Sequence, residues 1–167
     1  YMAGESGALD ALADKVRDAF ERVGFMMLIN HDLDWDVIDA AFAGSKQFHD
    51  LPREEKLKVK VNEHQIGYVP MGLSLNKNHS VDGTTGLKPN AMENLTYHQD
   101  RTPDDSKVVS GERFRCLNQW PDSETAPGFR ESQMAYHALL SDLGYRMLPI
   151  YARALEMPAD FFNAYFG

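Results

Sequence analysis

The sequence has one cysteine, fewer basic than acidic residues, and no hydrophobic run long enough to span a membrane. Cys116 alone forms neither an intrachain disulfide nor a cysteine-rich zinc site, and this favours a reducing, cytoplasmic compartment. Seventeen Lys and Arg against 25 Asp and Glu give a formal charge of -8. This balance argues against a nucleic-acid or anionic-membrane partner. Residues 1–15 also lack the basic start and apolar core of a signal peptide.

Several self-contained catalytic motifs are also missing. The chain has no Gly-rich phosphate loop, no nucleophile elbow and no HExxH metal motif. With 167 residues, 43% of them hydrophobic, it can bury one core and is most simply one domain or a portion of a larger one.

The most apolar stretch is Gly24–His31, GFMMLINH. Its length and nearly unbroken apolar character predict a strand buried on both faces. A helical pattern that Ser6 could cap runs before it from Leu9 to Val23, and another follows from Asp34 to about His49. This order is typical of the opening of a mixed helix and strand domain.

The remainder alternates short elements with loops. Pro52 begins a short helix to about Val59, and an irregular loop follows over Val61–Gly86. Alternation in Glu93–His98 predicts a strand with Asn94, Thr96 and His98 on one face. The longest helix is predicted from about Pro127 to Leu155 with a kink at Pro149, and Pro158 begins a final short helix.

One pattern suggests a metal site. His98-Gln99-Asp100 with a later His137 has the composition of a site of two histidines and one carboxylate. However, a strand places His98 and Asp100 on one face whether or not they bind anything, and His137 falls within the long helix, where histidines commonly pack. A small metallohydrolase built on these three residues stays as one alternative.

Five segments, in unbroken order, carry a resemblance to a known family. They are DKVRDAFERVGFMMLINH at 14–31, FHDLPREEK at 48–56, Gly67-Tyr68, NQWPDSETAPGFR at 118–130 and YARALEMPADFF at 151–162. Together they resemble the N-terminal half of isopenicillin N synthase-like Fe(II)/2-oxoglutarate-dependent dioxygenases, the non-haem dioxygenase N-terminal region. The resemblance extends over nearly the whole chain.

This resemblance implies an α+β fold. N-terminal helices would pack on the first strands of a double-stranded β-helix, a distorted jelly roll, braced by the long helix. Residues 1–167 would be the N-terminal portion of a single dioxygenase domain. The family's iron-binding His-x-Asp, its second His and its Arg-x-Ser for 2-oxoglutarate would follow in a C-terminal half absent from this chain. No catalytic, cofactor-binding or metal residue is therefore assigned here, and His98 and Asp100 fall on an early strand.

The resemblance also implies a function: hydroxylation or desaturation of a small molecule, with Fe(II) as cofactor and 2-oxoglutarate as cosubstrate. This half, inactive alone, would contribute part of the substrate pocket. The candidate substrate-binding residues are Gln65, Tyr68, Val69, Asn94, Thr96 and His98. Gln65 and Val69 stand where penicillin-forming relatives have Arg and Tyr, which argues against a peptide substrate. The oligomeric state stays open.

The alternative of a different class is a non-catalytic binding or interaction fragment without the iron site. Its sign would be an exposed apolar surface where the barrel should lie.

Overall fold

The computed structural model describes residues 7–72 and 91–166. The chain forms two compact units, one of residues 1–35 with 137–167 and one of residues 36–136. We refer to them as the terminal unit and the central unit. The predicted Ser6 cap and residues 73–86 of the predicted loop lie outside the described residues.

The terminal unit is built on helix α1, Ala8–Arg22, and on the later turns of helix α5, Phe129–Ala154. Its core contains Val16, Met147 and Ile150. Arg17 Nε donates to the carbonyl oxygen of Ala154 at 2.8 Å, which places a cation at the C-terminal end of α5. The predicted helices are confirmed here, and the predicted final helix is a 3-10 helix, Phe161–Ala164.

The central unit contains the two strands. Its elements are helix α2 (Trp35–His49), helix α3 (Arg53–Leu57), strand β1 (Gly67–Val69), strand β2 (Asn94–Thr96), helix α4 (Ser106–Val109) and the first turns of α5. The core is aromatic, since the Phe48 ring centroid lies 5.5 Å from that of Phe129 and 5.9 Å from that of Tyr68. Such pairs add attraction beyond the area that they bury.

A small residue lets α2 and the start of α5 approach closely. A Cβ added at Gly44 would lie 2.8 Å from Ser132 Oγ. Beside it the buried Gln133 donates from Nε2 to the carbonyl oxygen of Ala41 at 2.9 Å. Gln133 Oε1 accepts from the Tyr97 hydroxyl at 2.9 Å, so one amide connects α2, α5 and the segment after β2.

The prediction of a buried strand at Gly24–His31 is wrong. The segment is not a strand, and Phe25, Met27 and Ile29 are 82%, 92% and 77% exposed. The alternate residue Met26 instead packs against the terminal core. A buried strand needs a hydrogen-bonded neighbour and cover on both faces, and residues 7–72 and 91–166 supply neither.

The one other predicted strand is present in part. β2 confirms the middle of the Glu93–His98 strand, whereas β1 lies inside the predicted loop. Across the described ranges, no helix is long and apolar enough to cross a membrane.

Candidate functional site

The two strands form an antiparallel pair that sorts the candidate residues onto two faces. Gly67 lies opposite Thr96, Tyr68 opposite Leu95, and Val69 opposite Asn94. Directly opposed residues share a face of a sheet, so Val69, Asn94 and Thr96 lie together. All three are half-buried. We call them the outer face.

Two of these residues form a polar pair. Thr96 Oγ1 donates to Asn94 Oδ1 at 3.3 Å. The carbonyl end of the Asn94 amide is thus engaged, while no described residue accepts from its NH₂ group. The outer face therefore offers a hydrogen-bond donor beside the apolar Val69 side chain.

The remaining predicted residues lie elsewhere. Tyr68 is 1% exposed and belongs to the central core. Gln65 is exposed in a turn with a φ of 61°, and His98 is exposed beyond the end of β2. The structure thus brings three of the six candidates together.

Sequence reasoning missed a polar cluster centred on Glu93, the residue before β2. The Tyr68 hydroxyl donates to Glu93 Oε2, and Lys56 Nζ lies 2.9 Å from Oε1. His49 Nδ1 lies 3.0 Å from the same oxygen. Lys56 is only 7% exposed, which is rare for a lysine without a partner.

These contacts define the protonation states. Hydrogen bonds from Tyr68 and then Lys56 lower the pKa of Glu93 to about 2. Burial, followed by the hydrogen bond to Glu93, raises the pKa of Tyr68 to about 12. At neutral pH a charged Glu93 therefore accepts from a neutral Tyr68, and the cluster connects α2, α3 and β1 to the start of β2. The sequence PREEKLK at residues 52–58 does not distinguish the buried Lys56 from the exposed Lys58.

A second cluster occupies Asp100. Asn118 Nδ2 and Trp120 Nε1 donate to its Oδ1 at 2.8 and 3.1 Å, and Arg130 Nε donates to Oδ2 at 2.9 Å. Burial acts to raise the pKa of Asp100, but hydrogen bonds from Asn118, Arg130 and Trp120 lower it overall. This carboxylate is an acceptor at the centre of a structural network.

Gln119, which lies between Asn118 and Trp120 in the sequence, supports the start of β1. Its Nε2 donates to the carbonyl oxygens of Ile66 at 2.6 Å and Lys60 at 2.9 Å. Gly67 has a φ of 118°, and a Cβ there would lie 2.5 Å from both Gln119 Nε2 and the Val59 carbonyl oxygen. Glycine is required at this position for its conformation and for the space.

The proposed metal ligands do not form a site. Within residues 7–72 and 91–166, no group of three or more His, Cys, Asp or Glu could hold a metal ion. His98, Asp100 and His137, the residues of the metallohydrolase alternative, belong to no such group. The described residues likewise do not provide a set of ligands that fits a ferrous iron centre.

Sequence comparison places this chain in a family of N-terminal dioxygenase regions. The family described as "non-haem dioxygenase in morphine synthesis N-terminal" matches residues 2–123. A 2-oxoglutarate-dependent dioxygenase of Gibberella zeae is 30% identical over 156 residues, which cover 90% of this chain and 38% of that protein. Azadirone synthase of Melia azedarach is 29% identical over 147 residues, covering 88% of this chain and 42% of that protein.

Solved structures of oxygenases also resemble this chain. A putative 2OG-Fe(II) oxygenase family protein from Caulobacter crescentus superposes with a TM-score of 0.73 at 26% identity, covering 95% of this chain and 48% of that one. A full-length Neurospora crassa protein in complex with alpha-KG gives a TM-score of 0.76 at 20% identity, with 98% of this chain and 47% of that one covered. The likeness to the Neurospora crassa protein concerns the fold alone. This chain spans less than half the length of each of these four relatives.

Proposed function

Because this chain belongs to the family of non-haem dioxygenase N-terminal regions, we propose that it is the N-terminal part of an Fe(II)- and 2-oxoglutarate-dependent oxygenase acting on a small molecule. The family match over residues 2–123 is the observation that carries this proposal, and it confirms the resemblance read from the sequence. The names of the relatives support Fe(II) and 2-oxoglutarate as the cofactor and cosubstrate. The reaction would be a hydroxylation or a desaturation.

The iron centre belongs, in this proposal, to a further part of the polypeptide. Residues 1–167 would be an N-terminal portion of a single dioxygenase domain, and the further part would complete a double-stranded β-helix and supply the ligands for iron and 2-oxoglutarate. The segment at residues 25–29 supports this division, because Phe25, Met27 and Ile29 point outwards as alternate residues of a strand do. We propose that this segment pairs with a strand of the β-helix, which α5 would brace.

The part described here would contribute one wall of the substrate pocket. Val69, Asn94 and Thr96 form that wall on the outer face, and Gln65 and His98 flank it as further candidates. Tyr68 would act from the core by holding Glu93 beside β2. A mixed polar and apolar lining suits a small molecule. The cytoplasmic location stays a prediction from the sequence.

The exposed apolar side chains also favour a second candidate, a binding or interaction fragment without catalytic activity. Large exposed apolar patches commonly mark surfaces that another chain covers. The two candidates differ in whether an iron-bearing part follows in the same polypeptide.

The test begins with the intact mass of the native polypeptide. A mass well above the 18.9 kDa of this chain, together with one bound Fe(II) and succinate formation from 2-oxoglutarate, is expected for the oxygenase. The 167-residue chain alone is the control and should form no succinate. A native mass of 18.9 kDa without iron binding would overturn the oxygenase proposal in favour of the binding fragment.

A further inference from the structure

We propose that the outer face recognises an uncharged oxygen acceptor of the substrate, such as a ketone, ether or hydroxyl oxygen, through the Asn94 side-chain amide. This inference rests on the proposed function, and it adds the substrate's chemical class. It assigns specificity to Asn94 and a positioning role to Thr96.

The orientation of the Asn94 amide provides the first step. A side-chain amide has a carbonyl oxygen that accepts and an NH₂ group that donates. Thr96 Oγ1 donates to Asn94 Oδ1 at 3.3 Å, and no acceptor for the NH₂ group is found within residues 7–72 and 91–166. Among these residues, the NH₂ group is therefore the part of the amide open to a ligand. An oxygen acceptor satisfies this donor, whereas an ammonium group would meet another donor.

The register provides the second step. Val69 lies directly opposite Asn94, and both side chains are half-buried. A ligand oxygen bound to the amide would therefore place its neighbouring carbon atoms against the Val69 methyl groups. A few polar groups within an apolar lining are the usual composition of a small-molecule pocket.

The charges flanking β2 provide the third step. Glu93 is paired with Lys56 at 2.9 Å, Asp100 with Arg130 at 2.9 Å, and Arg101 with Asp105 at 2.7 Å. A charged ligand would gain no free counter-ion from these flanking residues. Because a charge that leaves water without a counter-ion loses solvation free energy, this wall favours an uncharged ligand.

The test compares three probes that share a cyclohexyl ring: cyclohexyl methyl ketone, cyclohexanecarboxylate and cyclohexylammonium. Binding to the full-length polypeptide is measured by saturation-transfer NMR titration, which needs neither iron nor turnover. We expect the ketone to bind about tenfold more tightly than either ion. The ammonium has no acceptor for the Asn94 amide, and the carboxylate would lose solvation without gaining a counter-ion. Tighter or equal binding of either ion, or no binding of the ketone, would overturn the inference.

Variants assign the effect to the amide. Asn94→Asp replaces the donor by a carboxylate, and we expect about a tenfold loss of ketone affinity. Thr96→Val keeps the side-chain shape but removes the hydroxyl that orients the amide, so a smaller loss of about threefold is expected. Asn163→Asp makes the same charge change at an exposed position of the terminal unit and should leave the affinity unchanged.

Folding and function are controlled separately. Circular dichroism melting checks that each variant folds, and Asn94→Ala replaces Asn94→Asp if the carboxylate prevents folding. Unchanged ketone affinity in a folded Asn94 variant would overturn the inference. Succinate formation by the unsubstituted polypeptide tests the proposed function independently, so failure of one proposal is distinguishable from failure of the other.

Discussion

Two segments are predicted as strands from the sequence, but only one of them pairs with another strand in the described structure. GFMMLINH at residues 24–31 is the more apolar, yet Phe25, Met27 and Ile29 lie largely in solvent. ENLTYH at residues 93–98 is the more polar, yet its middle pairs with β1. Glu93, the most polar residue of that segment, has three hydrogen-bond partners.

The difference lies in the availability of partners. An apolar run favours burial, but a strand also needs another backbone to bond its N–H and C=O groups. Gly67–Val69 provides that backbone for residues 94–96, and no described segment provides it for residues 25–29. The hydrophobicity of a segment thus favours its burial, but strand formation depends on a second backbone segment that can pair with it.

The largest expected effect comes from removing Glu93, whose hydrogen bonds hold the start of β2. Glu93→Ala leaves Lys56 buried without its carboxylate, and breaking a buried pair in this way costs about 4 kcal/mol of unfolding free energy. Urea denaturation followed by circular dichroism measures the loss.

The matched control is Glu55→Ala, which breaks the exposed pair with Lys58 and should cost less than about 1 kcal/mol. Equal losses in the two variants would show that burial of Lys56 does not matter.

The close approach at β1 gives the next effect. Gly67→Ala places a Cβ 2.5 Å from a backbone carbonyl oxygen at a positive φ, and we expect a loss of about 3 kcal/mol in urea denaturation. Gly144→Ala, within α5 and with open space around the new Cβ, should instead stabilise by about 0.5–1 kcal/mol. A Gly67→Ala variant as stable as the parent chain would contradict the packing at β1.

The protonation of Glu93 makes the paired segment sensitive to acid. The pKa of Glu93 falls from 4.5 to about 2 on folding. Its contribution to the free energy of unfolding is therefore present above pH 4.5 and is lost as the pH falls towards 2. We expect a loss of about 2 kcal/mol from this group, measured by urea denaturation across that range. A Glu93→Gln variant should lose less stability over the same interval, and identical pH profiles would count against this role.

The smallest effect belongs to the exposed segment. Met27→Ser in the 167-residue chain should change the free energy of unfolding by less than about 0.5 kcal/mol, because Met27 is 92% exposed. Phe48→Ala, at a core ring that is 1% exposed, should cost about 3–5 kcal/mol in the same assay. A large loss from Met27→Ser would mean that the segment is covered in solution.

The helices were the most predictable part of the fold. Periodic apolar positions and the flanking Gly and Pro residues placed α1, α2, α3 and α5, since these signals are local. α4 was missed in a polar stretch, although Asp105 caps it by accepting from the Lys107 N–H at 2.8 Å. β1 was missed because three residues around a glycine carry little periodicity.

The candidate site was predicted only in part. Alternation placed Asn94 and Thr96 on one face, and the resemblance supplied Val69. The Glu93 cluster could not be read from the sequence, because Lys56 and Glu93 are 37 positions apart and their pairing depends on packing. Nor did the tempting His98 and Asp100 pattern reveal that Asn118, Trp120 and Arg130 engage the carboxylate.

The sequence by itself determined helices α1, α2, α3 and α5, the family and the face to which each residue of β2 belongs, because these follow from local periodicity and an ordered set of motifs. Only the tertiary structure decided which strand-like segment is paired and which charges are neutralised. Pairing and charge neutralisation require groups from distant parts of the chain to meet within about 3 Å. The local sequence does not predict which distant groups come into contact.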